Sequence, residues 1–267
     1  MSDRSPVDLV SLYFGEDHKI NEYIVLRQPS IQEIVDYGEL DFWRMVHLFC
    51  ANTTSMRLML WKNGIDWNKI SDYELFVYLL PVFKPEFTRL ILVGLDLSRF
   101  IPITIEKEAA AGDQPVSEVV LISIDNPSVM IDEDIYKQMM FFFRTVFNYH
   151  PKNEFAKGKF TKQLMIDDDE LNIFNAERMQ KISPTYDSFL MPLLSFALNH
   201  PGFKYRKDEL RNLKFFEFMD SILRIQSTES SLALMTGMYS GMVNFKDNPE
   251  LKKELVLTRS TYDGIKY

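Results

Sequence analysis

Cysteine is almost missing from the 267 residues: Cys50 stands alone, so no disulfide can form within the chain and the Cys-x-x-Cys spacings of zinc and redox sites are excluded. In its apolar helical surroundings Cys50 reads as a small core residue of a protein made and working in a reducing compartment. Glycine is also scarce, with 10 residues, which leaves little material for a phosphate-cradling loop. Gly-x-Gly-x-x-Gly, the Walker Gly-Lys-Ser/Thr, Ser-x-x-Lys and Gly-x-Ser-x-Gly patterns are all absent, which disfavours nucleotide enzymes and the common serine nucleophiles. No apolar run reaches the ~18 residues of a membrane span, and the N-terminus lacks a signal-peptide core. A soluble protein made in the cytoplasm, with no membrane partner, is the expectation. Basic residues form no block: 30 Lys and Arg are scattered among 38 Asp and Glu, for a net charge of -8. The electrostatic footprint of a nucleic-acid binder is therefore missing, and nucleic acid is not expected as a partner.

What the chain does contain is core material. Hydrophobic residues make up 46% and charged residues 25%, with 21 Phe and 12 Tyr, enough large side chains for a substantial interior in one large domain or two small ones. Near the start, "DLVSLYF" and "EYIVLRQP" are β-branched and aromatic, with a polar "GEDHKINE" between them, which predicts a hairpin of two extended segments. Pro29 ends the second. Ser30 and Glu33 then have capping-box spacing, predicting a helix from Ile31. Gly38 predicts a kink or restart, followed by a buried helix to about Ala51 carrying Phe42, Met45, Val46 and Phe49. "NGIDW" reads as a turn, and Ser71 with Glu74 opens a second capped helix that Pro81 interrupts.

Between about residues 90 and 131 the period changes. "LILVGLDLSRFIPITIEK", the loop "EAAAGDQP", "SEVVLISID" and "SVMID" predict a small antiparallel sheet. "DEDIYKQMMFFFRTVFNY" follows as a central helix, with Ile135, Met139, Phe143, Val146 and Phe147 on one face. "HPKNEFAKGKF" is a polar connection and the best candidate for an internal boundary. Beyond it come a charged, exposed helix over "TKQLMIDDDELNIFNAERMQKI" and "SPTYDSFLMPLLSFALNH" with a Pro192 kink. Two more helices follow, over "LKFFEFMDSILRIQ" and "SSLALMTGMYSGM". The tail "LTRSTYDGIKY" carries no assignable periodicity.

Candidate chemistry is thin. His18, His47, His150 and His200 lie far apart, and none has metal-ligand spacing; His47, between apolar helix residues, reads as a satisfied core histidine. Asp167 to Glu170 are consecutive on a helix and point in different directions, without the alternating acidic pattern and glycine turn of a calcium loop, so they read as a solvated acidic face. A glycosidase is recognised by the separation of its carboxylates in space, so the acidic residues name no pair. The 14 methionines include Met219, Met235, Met238 and Met242 near Tyr239. At helical spacing these read as core, with an adaptable binding surface as the alternative. No catalytic, cofactor-binding or metal-ligating residue is assigned, no cofactor is expected, and partner-binding residues are not identified.

In order along the chain, "RQPSIQEIVDYGE", "NGIDWNKISDYELFVYLLPVF", "LVGLDLSRF", "MIDEDIYKQM" and "GMYSGMVN" resemble tail-morphogenesis and otherwise uncharacterised proteins of bacteriophages that infect Gram-positive hosts. Such proteins share an extended segment ending in Pro before a capped helix. They also share a Gly-Ile-Asp turn, a sheet insertion opening with Leu-Asp-Leu-Ser, and a closing Tyr-Ser-Gly. The resemblance implies a non-enzymatic role in building the tail or baseplate, as an assembly chaperone or minor structural component, in the host cytoplasm or incorporated into the virion. Its partners would be other tail or baseplate proteins. The helix after the central connection departs from the group, in which it is strongly basic, because here it carries Asp167 to Glu170.

Together these readings predict an α+β protein, predominantly helical, with a small antiparallel insertion. Residues 1–150 would form a mixed region with the insertion at about 90–131, and 151–267 a helical region, as two domains or one continuous one. The competing functional class is a small hydrolase or transferase whose site is assembled from residues distant in sequence.

Overall fold

The computed structural model describes residues 7–107, 116–182, 188–242 and 249–255. It is an α+β fold dominated by helices, with a 2-stranded and a 3-stranded antiparallel sheet. The first helix overturns an expectation. Asp8 accepts a hydrogen bond from the Val10 N–H at 3.0 Å and another from the Ser11 hydroxyl at 2.9 Å, and this cap makes a helix, α1 (Leu9–Tyr13), of "LVSLY". Local capping there outweighs the β-branched and aromatic composition that suggested a strand. The hairpin forms further on, where β1 (His18–Lys19) pairs with β2 (Val25–Leu26) across a turn in which the Asn21 side chain accepts from the Tyr23 and Ile24 N–H groups.

Both predicted capping boxes are present. Ser30 and Glu33 exchange side-chain and backbone hydrogen bonds at the start of α2 (Ile31–Tyr37), and Ser71 and Glu74 do the same at α5 (Asp72–Leu79). Between α2 and α3 (Glu39–Phe49) lies Gly38 at φ 100°, a backbone region that costs a side chain about 1–2 kcal/mol, so the predicted restart occurs there. After α4 (Arg57–Lys62) the "NGIDW" turn has Gly64 at φ 75°. Pro81 falls in a 3₁₀ turn, Leu80–Val82, that ends α5, and α6 (Pro85–Thr88) follows.

The sheet begins later than predicted. Leu90, Ile91 and Leu92 are buried, and the segment meets β2 and Arg27 after it through a bridge between Leu26 and Leu92, a hydrogen bond from the Arg27 N–H to the Ile91 carbonyl and one from the Val93 N–H to the Val25 carbonyl. A short apolar run can fill a core without being a strand. The ladder itself is β3 (Phe100–Lys107), β4 (Val116–Ser123) and β5 (Met130–Ile131), antiparallel in that order; the loop "EAAAGDQP" lies outside the described residues.

Asp132 caps α7 (Glu133–Val146) through the Ile135 N–H at 2.8 Å, and this helix is central as predicted. Phe143 stands 5.0 Å from Phe49 and Phe147 5.6 Å from Phe42, ring centre to centre, and Phe215, far along the chain, closes the cluster 5.6 Å from Phe42. One buried hydrophobic cluster takes in residues from both sides of the polar connection, Ala156, Ile166, Leu190 and Phe218 among them.

Beyond the connection come α8 (Lys159–Ile182), α9 (Leu190–Asn199), α10 (Lys207–Leu210) and α11 (Phe215–Tyr239). Two expectations fail here. Pro192 falls in the first turn of α9, where a missing N–H removes no intrahelical bond, so no mid-helix kink arises. The two helices predicted after Leu213 are one, because the polar stretch between them contains neither Gly nor Pro to break it; its Ser227 and Ser231 are buried. A 3₁₀ segment, Pro249–Leu255, packs on α11. Residues 183–187 and the tail "LTRSTYDGIKY" lie outside the described residues.

Candidate protein-interaction surface

The polar connection is bound to the first half of the chain by specific hydrogen bonds. The Asn52 amide donates to the Lys152 carbonyl at 2.9 Å, and the Asn68 amide to the Ala156 carbonyl at 2.8 Å. From there α8 lies against α4. Ile166 is buried, Lys162 pairs with Asp66 and stands over the Trp67 ring, and Arg57 grips Asp169 with two hydrogen bonds of 2.6 Å while also meeting Glu154. Lys62 reaches Glu170 at 3.0 Å. The acidic run is therefore not simply a solvated face: Asp167 and Asp168 are exposed, whereas Asp169 and Glu170 hold α8 in place. From Glu170 to Ile182 every residue is exposed, Phe174 and Ile182 among them.

An apolar groove of about 460 Å³ runs between α2, α9 and α10. Ile31 and Val35 from α2, Met191, Leu194 and Leu198 from α9, and Leu210 from α10 wall it, with Gln32, Asn199, Lys207 and Arg211 along the rim. Its shape is set by backbone hydrogen bonds that join the first capped helix to the far end of the chain. The Ile31 N–H donates to the Leu213 carbonyl at 3.0 Å, the Gln32 N–H to the Arg211 carbonyl at 2.9 Å, and the Phe215 N–H to the Pro29 carbonyl at 2.9 Å. Gln28, fully buried, adds a side-chain bridge, donating to the Leu12 carbonyl at 2.7 Å and accepting from the Phe216 N–H at 3.2 Å. The start of α9 is fixed by Glu39, whose carboxylate accepts from the Leu190 N–H and the Ser188 hydroxyl, both at 2.7 Å. Val35 is 54% and Met191 63% exposed, so apolar side chains face water across an open trough. Among its described lining residues there is no carboxylate, histidine or cysteine, which suits this trough to binding by shape and burial rather than to proton transfer.

The histidines are dispersed. His18 stacks on Phe142 with ring centres 5.4 Å apart, and burial lowers its pKa. His47 is not a core residue as expected: it lies on the exposed side of α3, hydrogen-bonded through Nδ1 to the Tyr149 hydroxyl at 2.9 Å, with partial burial of the ring again lowering its pKa. His150 bonds Asn148 at the surface. His200 lies in an open groove of about 580 Å³ beside α11. There the Gly202 N–H donates to Nδ1 at 3.0 Å, which leaves the ring proton on Nε2, 2.8 Å from the Glu229 carboxylate. Both ring nitrogens thus have hydrogen-bond partners within the chain. Tyr205 in the same groove is tied to Glu217 at 2.6 Å, and that carboxylate raises its pKa. No group of three or more His, Cys, Asp or Glu among the described residues is placed to hold a metal ion.

The methionine stripe is core only in part: Met219 packs against the core, Met235 and Met238 are half-buried, and Met242 is exposed at 86%, as are Leu232 and, at 84%, Tyr239. No helix among the described residues is long and apolar enough to cross a membrane. Compared with known proteins, the chain matches no family model, no curated protein and no solved structure. The groove residues escaped sequence reading because α9, "LMPLLSFAL", is apolar all round and reads as buried. Its excess of apolar residues over what one face can bury was the available signal.

Proposed function

We propose that this chain is a non-enzymatic bacteriophage virion-assembly protein that acts through protein contacts in tail or baseplate morphogenesis, in the host cytoplasm, as an escort or a minor retained component. The observation that carries the interaction role is the open apolar trough between α2, α9 and α10, rimmed by Lys207 and Arg211. Its dimensions and lining suit a short amphipathic segment whose apolar side chains enter the trough and whose acidic residues meet the cationic rim. The phage assignment is supported by the ordered motif resemblance, whose first landmark, "RQPSIQEIVDYGE", contributes the Ile31, Gln32 and Val35 wall.

The test is to tag the chain during phage infection, identify what co-purifies, and measure the chain in purified virions by mass spectrometry. A tail or baseplate protein should co-purify, and a Val35→Glu, Leu194→Glu variant should lose it while keeping its helical circular dichroism. Fixed stoichiometry in virions identifies a retained component, and absence from virions with retained capture identifies an escort. A chain that captures no virion protein and is absent from virions is not an assembly protein.

A further inference from the structure

Helix α8 has a second face that the docking against α4 does not use. Phe160, Leu164, Leu171 and Phe174 are exposed at 76%, 51%, 55% and 61%. At about 3.6 residues per turn they share one side of the helix, opposite the buried Ile166 and the clamped Asp169. Their spacing continues through Asp167, Arg178 and Lys181 in alternating steps of about three and four residues, the seam pattern of two helices packed along their length. The seam is thus apolar at its centre, acidic on one side and basic on the other. Arg178 and Lys181 are exposed and have no ion-pair partner among the described residues.

We infer that α8 pairs antiparallel with α8 of a second copy of this chain. Setting Asp167 against Arg178 of the second copy sets Leu171 against its Phe174 and Leu164 against its Lys181, whose long stem can lie over the leucine while its ammonium reaches water. The two-fold axis repeats each contact, so the two Leu171–Phe174 layers come to the middle, flanked on each side by an Asp167–Arg178 ion pair and then by a Leu164–Lys181 contact. A parallel pairing would instead place Asp167 on Asp167 and Arg178 on Arg178, a like-charge arrangement that costs stability. The charge order along the seam therefore selects both the second copy and the antiparallel direction. Each body sits behind its own α8, on the Ile166 side, so the two bodies lie on opposite faces of the pair. Pairing also supports the exposed end of α8 from Leu171 to Ile182, beyond the Lys62–Glu170 ion pair, where the helix would be marginal on its own. This surface is separate from the α2–α9–α10 trough, so its failure and the failure of the proposed function are read independently.

Sedimentation equilibrium of the full chain tests it. The wild type should sediment as a dimer, at twice the 31.4 kDa chain mass, and Leu171→Glu with Phe174→Glu should be monomeric with unchanged helical circular dichroism. Asp167→Arg or Arg178→Asp alone should raise the dissociation constant at least tenfold, and the two together should restore it to near the wild-type value. A monomeric wild type at 100 µM, on the order of a weak association limit, overturns the inference. So does a dimer indifferent to the Leu171 and Phe174 changes, a charge swap that fails to restore association, or a monomer whose α8 variants instead lose a co-purifying phage protein.

Discussion

Arg57 and Asp169, 112 residues apart in sequence, face each other through paired hydrogen bonds from Nε to Oδ2 and from Nη2 to Oδ1, both 2.6 Å. The arginine side chain is only 12% exposed and the aspartate 24%, so this fork and the Glu154 contact beside it join α4, the polar connection and α8. Replacing Arg57 with Ala should cost about 2–3 kcal/mol, because a half-buried carboxylate loses a charge-assisted pair of bonds. Urea denaturation of Arg57→Ala, Asp169→Ala and the double variant checks it. Strong coupling in that cycle is expected, and additive losses would show that the fork contributes little.

Ser30 acts on a helix start. Its hydroxyl accepts from the Glu33 N–H at 3.2 Å, and the Glu33 carboxylate accepts from the Ser30 N–H at 2.8 Å. Ser30→Ala should lower stability by about 1 kcal/mol, read as a shift in the urea midpoint, with partner capture retained once the protein is folded. Loss of capture from a stably folded variant would assign Ser30 a direct part in binding.

Stability should fall on the acid side in two stages. Burial lowers the pKa values of His18 and His47 below the ordinary 6.5, so the native state binds these protons more weakly than the unfolded chain. Their contribution is full above about pH 6.5 and is lost as pH falls through the folded values. The Glu33 and Asp66 pKa values are also lowered. Burial alone would raise both, but it is outweighed by the Ser30 N–H and Arg27 at Glu33, and by Lys162 and the Asn68 N–H at Asp66. Their share is lost only below the ordinary carboxylate values. Urea midpoints at pH 7.5 and 5.5 should differ in the wild type, and His18→Phe should shrink that difference while keeping the stack on Phe142. An undiminished difference would place the first stage elsewhere.

Cys50 should be chemically silent. It is fully buried, and burial pushes its thiol up to about 12, far above the pH at which thiolate reagents act. An aromatic disulfide reagent at pH 8 should label no thiol in the native protein and one per chain in guanidinium. Rapid native labelling would show that α3 opens readily.

Much of the architecture was legible in the sequence, and unevenly so. The capping boxes at Ser30 and Ser71, the restart at Gly38, the end of α5 at Pro81 and the central place of α7 were all readable. Each depends on residues a few positions apart, whose hydrogen bonds and backbone limits act within one or two helical turns. Where composition stood in for such a signal the reading slipped. "DLVSLYF" reads as a strand by composition, but Asp8 caps it as α1, and "LIL" reads as one because a buried plug and a strand share the same apolar run.

What the sequence determined by itself is the local grammar: where helices begin and end, which apolar residues recur on one side, and the lack of any motif that names a reaction. Tertiary structure alone decided which apolar sides are covered. Met191 and Val35 face an open trough, Tyr239 and Met242 face water, and His200 is held between Gly202 and Glu229. Burial depends on what segments far away in the chain bring to a surface, and neither periodicity nor propensity carries that information.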